Sequence, residues 1–256
     1  MVAQRPVALT TSSLQRDMYE NYSQSVGLEP RACYIHGTPL RPVVPLDIGT
    51  ASVFFLGAYP SARFAMINGI SDVPVADNLG PFESERWFDG ARVRQQPSAR
   101  ELHELFLGPL KLDRASCWIT DLVKVFLFKP GHIERYRRLS AEAPAGYVRE
   151  RFLELAKASV CLLERELELA RPRLLVTLGA EVAGVLRGVS LASAQTRLLV
   201  AKVEPLQIGT MSIPTIHCAH PGILMRRQLN NPWPDQHSDS FIPAIREYLA
   251  SADAAA

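Results

Sequence analysis

Four short stretches of the chain carry residue types able to hold or transform a ligand. Val53-Phe54-Phe55-Leu56 is an unbroken apolar run that stops at Gly57, and Ala58-Tyr59-Pro60-Ser61 follows it. Glycine lets the backbone turn tightly and approach a ligand, while a serine hydroxyl and free N–H groups behind it can grip an anion. The same pattern also serves as a plain turn. A second stretch, Ser116 to Lys124, ends in Thr120, Asp121 and Lys124, and a third ends in Leu178-Gly179. The fourth is His220-Pro221-Gly222, backed by Leu224, Met225, Arg226 and Arg227. Histidine changes charge near neutral pH and can donate or accept a proton, although a loop histidine often does no more than bond the backbone. The cysteines, Cys33, Cys117, Cys161 and Cys218, are widely spaced. That spacing fits reduced thiols or a long-range metal site better than a secreted disulfide framework.

These stretches need elements to position them. Apolar runs of four or five residues bounded by glycine read as buried parallel strands, with sites beyond their carboxyl ends. Val53–Gly57, Ser116–Lys124, Arg173–Leu178 and Ile213–Cys218 are the four candidates, and Pro214 predicts an edge position for the last. Leu198–Val203 is a candidate additional strand. Ser12 and Ser13 can cap a peripheral first helix over Leu14–Val26, and Cys33–Pro45, with its three prolines, should be extended. Ala62 to Pro97 has no sustained period and reads as a long excursion, after which Ser98 caps a helix over Ala99–Leu107. A loop carrying Arg135, Arg137 and Arg138 precedes the longest predicted helix, Tyr147–Ala170. Its apolar stripe leaves Cys161 on the opposite face. Helices follow over Ala180–Leu186 and Pro243–Ala250, with a frayed tail at 251–256. Strands alternating with helices predict the α/β class: one three-layer α/β/α domain over 1–256 with a mostly parallel four-stranded sheet and a peripheral segment at 1–45.

Composition narrows the function classes. The chain has 256 residues and a net charge of +2, so a nucleic-acid surface must come from local placement of arginines and not from bulk charge. No segment approaches the roughly 18 uninterrupted apolar residues of a membrane span. Gln4, Arg5 and the polar stretch after them do not resemble a signal peptide, so a cytoplasmic monomer with no membrane partner is expected. No Gly-x-Gly-x-x-Gly or Gly-x-x-x-x-Gly-Lys-(Ser/Thr) follows a strand, which weighs against a Rossmann-like nucleotide binder.

Taken in order, the four stretches resemble the uracil-DNA glycosylase superfamily, over roughly Cys33 to Arg227. Phe55-Leu56-Gly57-Ala58-Tyr59-Pro60-Ser61 is similar to its first motif. Ile119-Thr120-Asp121-Leu122-Val123-Lys124 resembles the Ile-Thr-Asn-x-Val-Lys segment of the iron–sulfur branch. Arg171-Pro172 through Gly179 resembles that branch's third strand, and His220 through Arg226 its His-Pro-x loop. The resemblance implies a DNA-repair hydrolase that cuts the N-glycosidic bond of a flipped, damaged base in single- or double-stranded DNA. It implies His220 as the donor to the departing base, with Asp121 also at the catalytic position. Gly57, Ala58, Tyr59, Phe82 and Asp121 would surround the base. Pro60, Ser61, Gly179, Pro221, Gly222 and Arg226 would hold the backbone, and Leu224 and Met225 are candidate wedges or core contacts. Phe82, in Gly80-Pro81-Phe82, is a stacking ring or simple packing.

Three departures from the pattern shape the expectation. Ala58 and Tyr59 stand where relatives carry Asp, Asn or Glu to activate water, which keeps a catalytically silent nucleic-acid-binding member as the alternative. Asp77, Glu83, Glu85 and Asp121 are the replacement candidates. Asp121 stands where an Asn reads the base; an ionised carboxylate only accepts hydrogen bonds and disfavours uracil unless it is protonated, and the plain alternative is a turn cap. Finally, Cys33-x-x-His36, Val125 and Cys161 occupy the positions of the cluster cysteines. Val125 cannot coordinate iron, so no cofactor is expected, and a [4Fe–4S] cluster would require an altered Cys33, His36 and Cys161 site.

Overall fold

The computed structural model describes residues 10–228 and 230–254, so residues 1–9 lie outside it; of the tail expected to fray at 251–256, residues 251–254 instead end the last helix, and 255 and 256 lie outside the described residues. The strands, in chain order, are β1 (Val53–Gly57), β2 (Ala62–Ile67), β3 (Ile70–Asp77), β4 (Arg86–Phe88), β5 (Val93–Gln95), β6 (Trp118–Asp121), β7 (Leu174–Leu178), β8 (Glu204–Ile208) and β9 (Met211–Cys218). Every residue of β1, β6 and β7 is buried. A strand tolerates that only when both faces of its sheet are covered. β1 shows how: Phe54 and Leu56 enter one core, while Val53 and Phe55 enter a second on the opposite face. Burying each phenylalanine contributes about 2 to 3 kcal/mol before chain entropy is subtracted. The result is a three-layer α/β/α arrangement, as the strand and helix alternation predicts.

The central sheet has five strands, not the expected four, in the order β6-β1-β7-β9-β8. β6, β1, β7 and β9 run parallel, and β8 pairs antiparallel with β9. The additional strand is Glu204–Ile208, one step beyond the predicted Leu198–Val203. Pro214 therefore does not mark an edge. The parallel ladder to β7 starts only at Thr215, and on the other side Pro214 faces Pro205, so neither ring displaces a needed N–H donor. Among the parallel strands, β1 lies between the two that follow it in sequence, β6 and β7. The chain thus reverses direction across the sheet at β1, the position where open α/β sheets form a crevice.

Several local expectations are corrected. The predicted long helix is two helices, Phe152–Ala158 and Val160–Ala170, and Tyr147 and Val148 are not helical. Val148 instead bridges to Phe128, and at the break Ser159 Oγ meets Tyr22 OH at 2.8 Å. The first helix, Thr11–Ser25, is capped by Thr10 and not by Ser12 or Ser13: Thr10 Oγ1 accepts from Ser13 N–H at 3.1 Å. Although it forms an outer layer, this helix puts Leu14, Met18 and Tyr22 into the core. The excursion from Ala62 is two hairpins, β2–β3 and β4–β5. Pro97 opens the next helix, Pro97–Leu102, and Ser98 lies inside it instead of capping it. The arginine loop is the helix Pro130–Arg138, and the last helix runs Ile242–Ala254. No helix among the described residues is long and apolar enough to cross a membrane.

Candidate functional site

The carboxyl ends of β1, β6, β7 and β9 open into one cleft of about 920 Å³. Ala58 to Ser61, Asp121, Gly179, His220, Gly222 and Arg226 all line it. Residues separated by more than 160 positions thus share a wall because their strands are parallel neighbours. The hairpin excursion adds Phe82 from a turn in which Glu83 N–H bonds the Gly80 carbonyl at 3.3 Å.

Gly57 lies where nothing larger fits. A Cβ there would sit 2.1 Å from Asp121 Oδ1 and 2.9 Å from Phe82 Cε2. Phe82 itself adopts φ 56°, a left-handed conformation costly for a bulky residue. Arg114 holds that turn, with Nη1 donating to the Phe82 carbonyl at 3.0 Å and Nη2 to the Pro81 carbonyl at 3.3 Å. Its guanidinium is fixed in turn by Asp47 at 2.6 Å and Glu83 at 2.8 Å.

Asp121 ends β6, only 2% exposed, and no hydrogen bond reaches its carboxyl among the described residues. Burial pushes its pKa up to about 7; Lys124 opposes the rise and Glu166 adds to it. Lys124 does not neutralise this carboxyl, because its Nζ is committed to Glu166 Oε2 at 2.6 Å, Thr120 Oγ1 at 2.7 Å and the Asp121 carbonyl at 2.7 Å. Trp118 Nε1 bonds the other Glu166 oxygen at 3.3 Å. This buried pair fixes the backbone at the strand end and leaves the Asp121 side chain free to face the cleft.

His220 follows β9. Gly222 N–H donates to its Nδ1 at 3.0 Å, which places the proton of the neutral ring on Nε2. The ring is reachable through the cleft mouth, yet the protein around it lowers its pKa. Loss of water is the main cause, Glu181 works in the opposite direction, and Lys129 and Arg226 add to the lowering. His220 is therefore neutral at pH 7 and offers one N–H donor. Gly179, at φ 119°, supplies the backbone conformation that an L side chain rarely adopts at the neighbouring strand end. His217, three residues earlier, bonds Thr177 Oγ1 and accepts from Arg187 Nε, so it belongs to the sheet and not to the cleft.

In the loop after His220, the structure takes the core-contact alternative for Leu224. Leu224 is 3% exposed and packed in the core, so it is not available as a wedge, and Met225 is half-buried outside the cleft lining. Ile223, 41% exposed and on the cleft wall, is the apolar side chain this loop presents. In the short helix Pro221–Leu224, Leu224 turns inward beside the buried Pro221, and Asn231 Nδ2 holds the Ile223 and Arg226 carbonyls at 2.9 and 2.7 Å.

The other acidic candidates are committed elsewhere. Asp77 accepts from Tyr34 OH at 2.7 Å and Arg41 N–H at 2.8 Å, Glu83 pairs with Arg114, and Glu85 pairs with Arg63 at 2.6 Å. None of the three lines the cleft, whereas Glu101 and Glu181, which sequence reasoning missed, do. Glu181 is bound to Arg149, and burial raises the Glu101 pKa, with Arg100 and Arg226 opposing. Tyr59 lies beneath Arg149, whose guanidinium carbon is 5.2 Å from the ring centre, and burial holds its phenol near 12. Phe64, Phe126 and His132 form a further aromatic wall that no motif signalled, with Phe64 and Phe126 each 5.5 Å from His132.

The residues in cluster positions do not fit an iron–sulfur group. Cys33 and Cys161 are exposed and turn to local carbonyls, those of Arg31 and Ala158, and Val125 is buried in the core. Among the described residues no three His, Cys, Asp or Glu side chains are grouped to hold a metal ion. Burial pushes the Cys117 thiol up to about 11 and raises Cys218 further, so both are inert at neutral pH. Comparison of the chain with protein-family models and with curated proteins finds no match.

Proposed function

We propose that this chain is a DNA glycosylase-like hydrolase of the uracil-DNA glycosylase type, acting on an extruded, deaminated base. One observation carries the reading: a neutral histidine with a single outward N–H donor shares a cleft with a buried, unpaired carboxyl and an aromatic ring wedged against Gly57. In base release the C1′–N bond breaks and its electron pair goes to the base. The Nε2–H of His220 stabilises the carbonyl oxygen on which that charge collects, while positive charge builds on the sugar. Water adds to C1′ and gives up a proton. Ala58 and Tyr59 cannot take it; Asp121 and Glu101 are the cleft carboxyls not held in an ion pair, and where Asp121 is protonated and reads the base the proton goes to Glu101.

Asp121 near its midpoint at pH 7 also answers the objection raised by its position in the motif. Protonated, it both donates and accepts, as a carboxamide does, and so suits a lactam edge. Lys129, Arg226 and Arg227 give the rim positive charge for DNA phosphates, and Ile223 is the candidate to fill the gap left by the base. The second reading, a silent nucleic-acid-binding member, is favoured by the packing of Tyr59 under Arg149 at the usual water-activating position. Incubation with oligonucleotides bearing uracil, hypoxanthine, xanthine or a mismatch separates the two. Abasic sites from any of them support hydrolysis, and salt-dependent binding without abasic sites supports the silent reading.

A further inference from the structure

The cleft wall carries two features that the catalytic reading does not use. Asn78, just after β3, and Gln96, just after β5, both line the cleft and are 8% and 4% exposed. Asn78 Oδ1 and Gln96 Nε2 are closed off from solvent without a partner. Neither side chain makes any hydrogen bond among the described residues. Glu85 brings the two segments together: its carboxylate accepts from Leu79 N–H at 3.3 Å, and its carbonyl accepts from Gln96 N–H at 2.9 Å. Burying two carboxamides with nothing to bond is unfavourable, at a typical cost of about 1 to 3 kcal/mol per unsatisfied group, and proteins retain such groups mainly where something else completes them.

We propose that Asn78 and Gln96 form a second edge-reading site in the cleft, which takes the lactam edge of a nucleobase, an N–H beside a carbonyl. The assignment rests on the glycosylase reading for its ligand class and deepens it. With Asn78 Oδ1 and Gln96 Nε2 covered, the pair offers the cleft Asn78 Nδ2, a donor, and Gln96 Oε1, an acceptor, together the complement of a lactam. A phosphate, with acceptors only, would leave an amide carbonyl unpaired, and an apolar group would leave both amides unpaired. Uracil and hypoxanthine carry the lactam edge and the cytosine and adenine they come from do not, so this site together with protonated Asp121 separates these deaminated bases from their parents.

The test measures binding of free uracil, hypoxanthine and 1,3-dimethyluracil to the full chain by ligand-detected magnetic resonance, without any reaction. Uracil or hypoxanthine should bind, and 1,3-dimethyluracil, which has no N–H, should bind roughly tenfold more weakly or worse. Asn78→Leu and Gln96→Leu should each weaken lactam binding by roughly tenfold or more, without lowering the melting temperature of the unliganded protein, because no protein hydrogen bond is lost. Asn78→Asp and Gln96→Glu repeat the measurement with side chains of unchanged shape. Unaltered base binding in all four variants, or a melting temperature that falls in both leucine variants, overturns the assignment while leaving the reading of base release from oligonucleotides untouched. Base binding that depends on Asn78 and Gln96, in a protein that releases no base from any oligonucleotide, upholds the assignment and counts against hydrolysis. Failure of both free lactams to bind overturns it.

Discussion

Replacing Asp121 with asparagine keeps the shape of the side chain and removes its ionisation. In the folded protein the carboxyl titrates at about 7 in place of the ordinary 3.8, because burial strips water from the charged form. Between those values the folded chain holds a proton that the unfolded chain has released, so the contribution of Asp121 to wild-type stability falls as pH rises from about 4 to about 7 and levels off above. The gap is worth about 4 kcal/mol. Asp121→Asn pays no such penalty. Its stability relative to wild type should be nearly flat below about pH 4 and should rise to a gain of about 4 kcal/mol above about pH 7.5. For a chain of this size that is roughly 10 °C in melting temperature. Urea unfolding of both proteins across this range checks it, and other titrating groups, such as Asp77, cancel in the comparison. Stability curves that stay parallel across the whole range would refute the claim that Asp121 is a buried, unpaired carboxyl.

Other substitutions probe the parts that hold the cleft together. Gly57→Ala places a methyl against Asp121 and Phe82, so it should cost about 1 to 3 kcal/mol in thermal denaturation and weaken oligonucleotide binding as the ring is displaced. Glu166→Gln leaves the Lys124 ammonium buried and uncompensated, and a loss of about 3 to 5 kcal/mol in urea unfolding is expected; a loss below about 1 kcal/mol would contradict the ion pair. Arg114→Ala frees the Pro81 and Phe82 carbonyls and should raise KM for any cleaved substrate more than it lowers kcat, with Arg114→Lys intermediate. Equal effects of Ala and Lys would count against the two-carbonyl grip.

The strands were legible because burial on both faces leaves a mark in sequence: Val53 to Leu56 and Leu174 to Leu178 have no polar interruption except Thr177. Their carboxyl ends could be placed on one rim for the same reason, which is why His220, Asp121 and Gly179 fall in a single cleft. Other features depend on distant partners and left no local signal. The break at Ser159 lies on an apolar stripe that continues through it, and only the hydroxyl of Tyr22, 137 positions away, identifies it as a junction. Pro214 suggested an edge because the opposing proline at 205 is invisible to a local reading. The wall of the cleft was harder still. Asn78 and Gln96 sit in a segment without period, Glu101 is one polar residue of a short helix, and nothing in their neighbours distinguishes them from surface polar residues. Leu224 and Ile223 are adjacent apolar residues in a four-residue helix, and only the helix orientation decides which of them faces out.

The most direct measurement is single-turnover release of free base from a saturating deaminated oligonucleotide, comparing wild type with His220→Ala. The expected outcome is release by wild type and a drop of roughly 100-fold or more in the variant, with oligonucleotide affinity little changed, since the lost donor acts on charge that develops only as the bond breaks. Equal release by the two proteins, or loss of binding and release together, would contradict the role assigned to His220 and the account built on it.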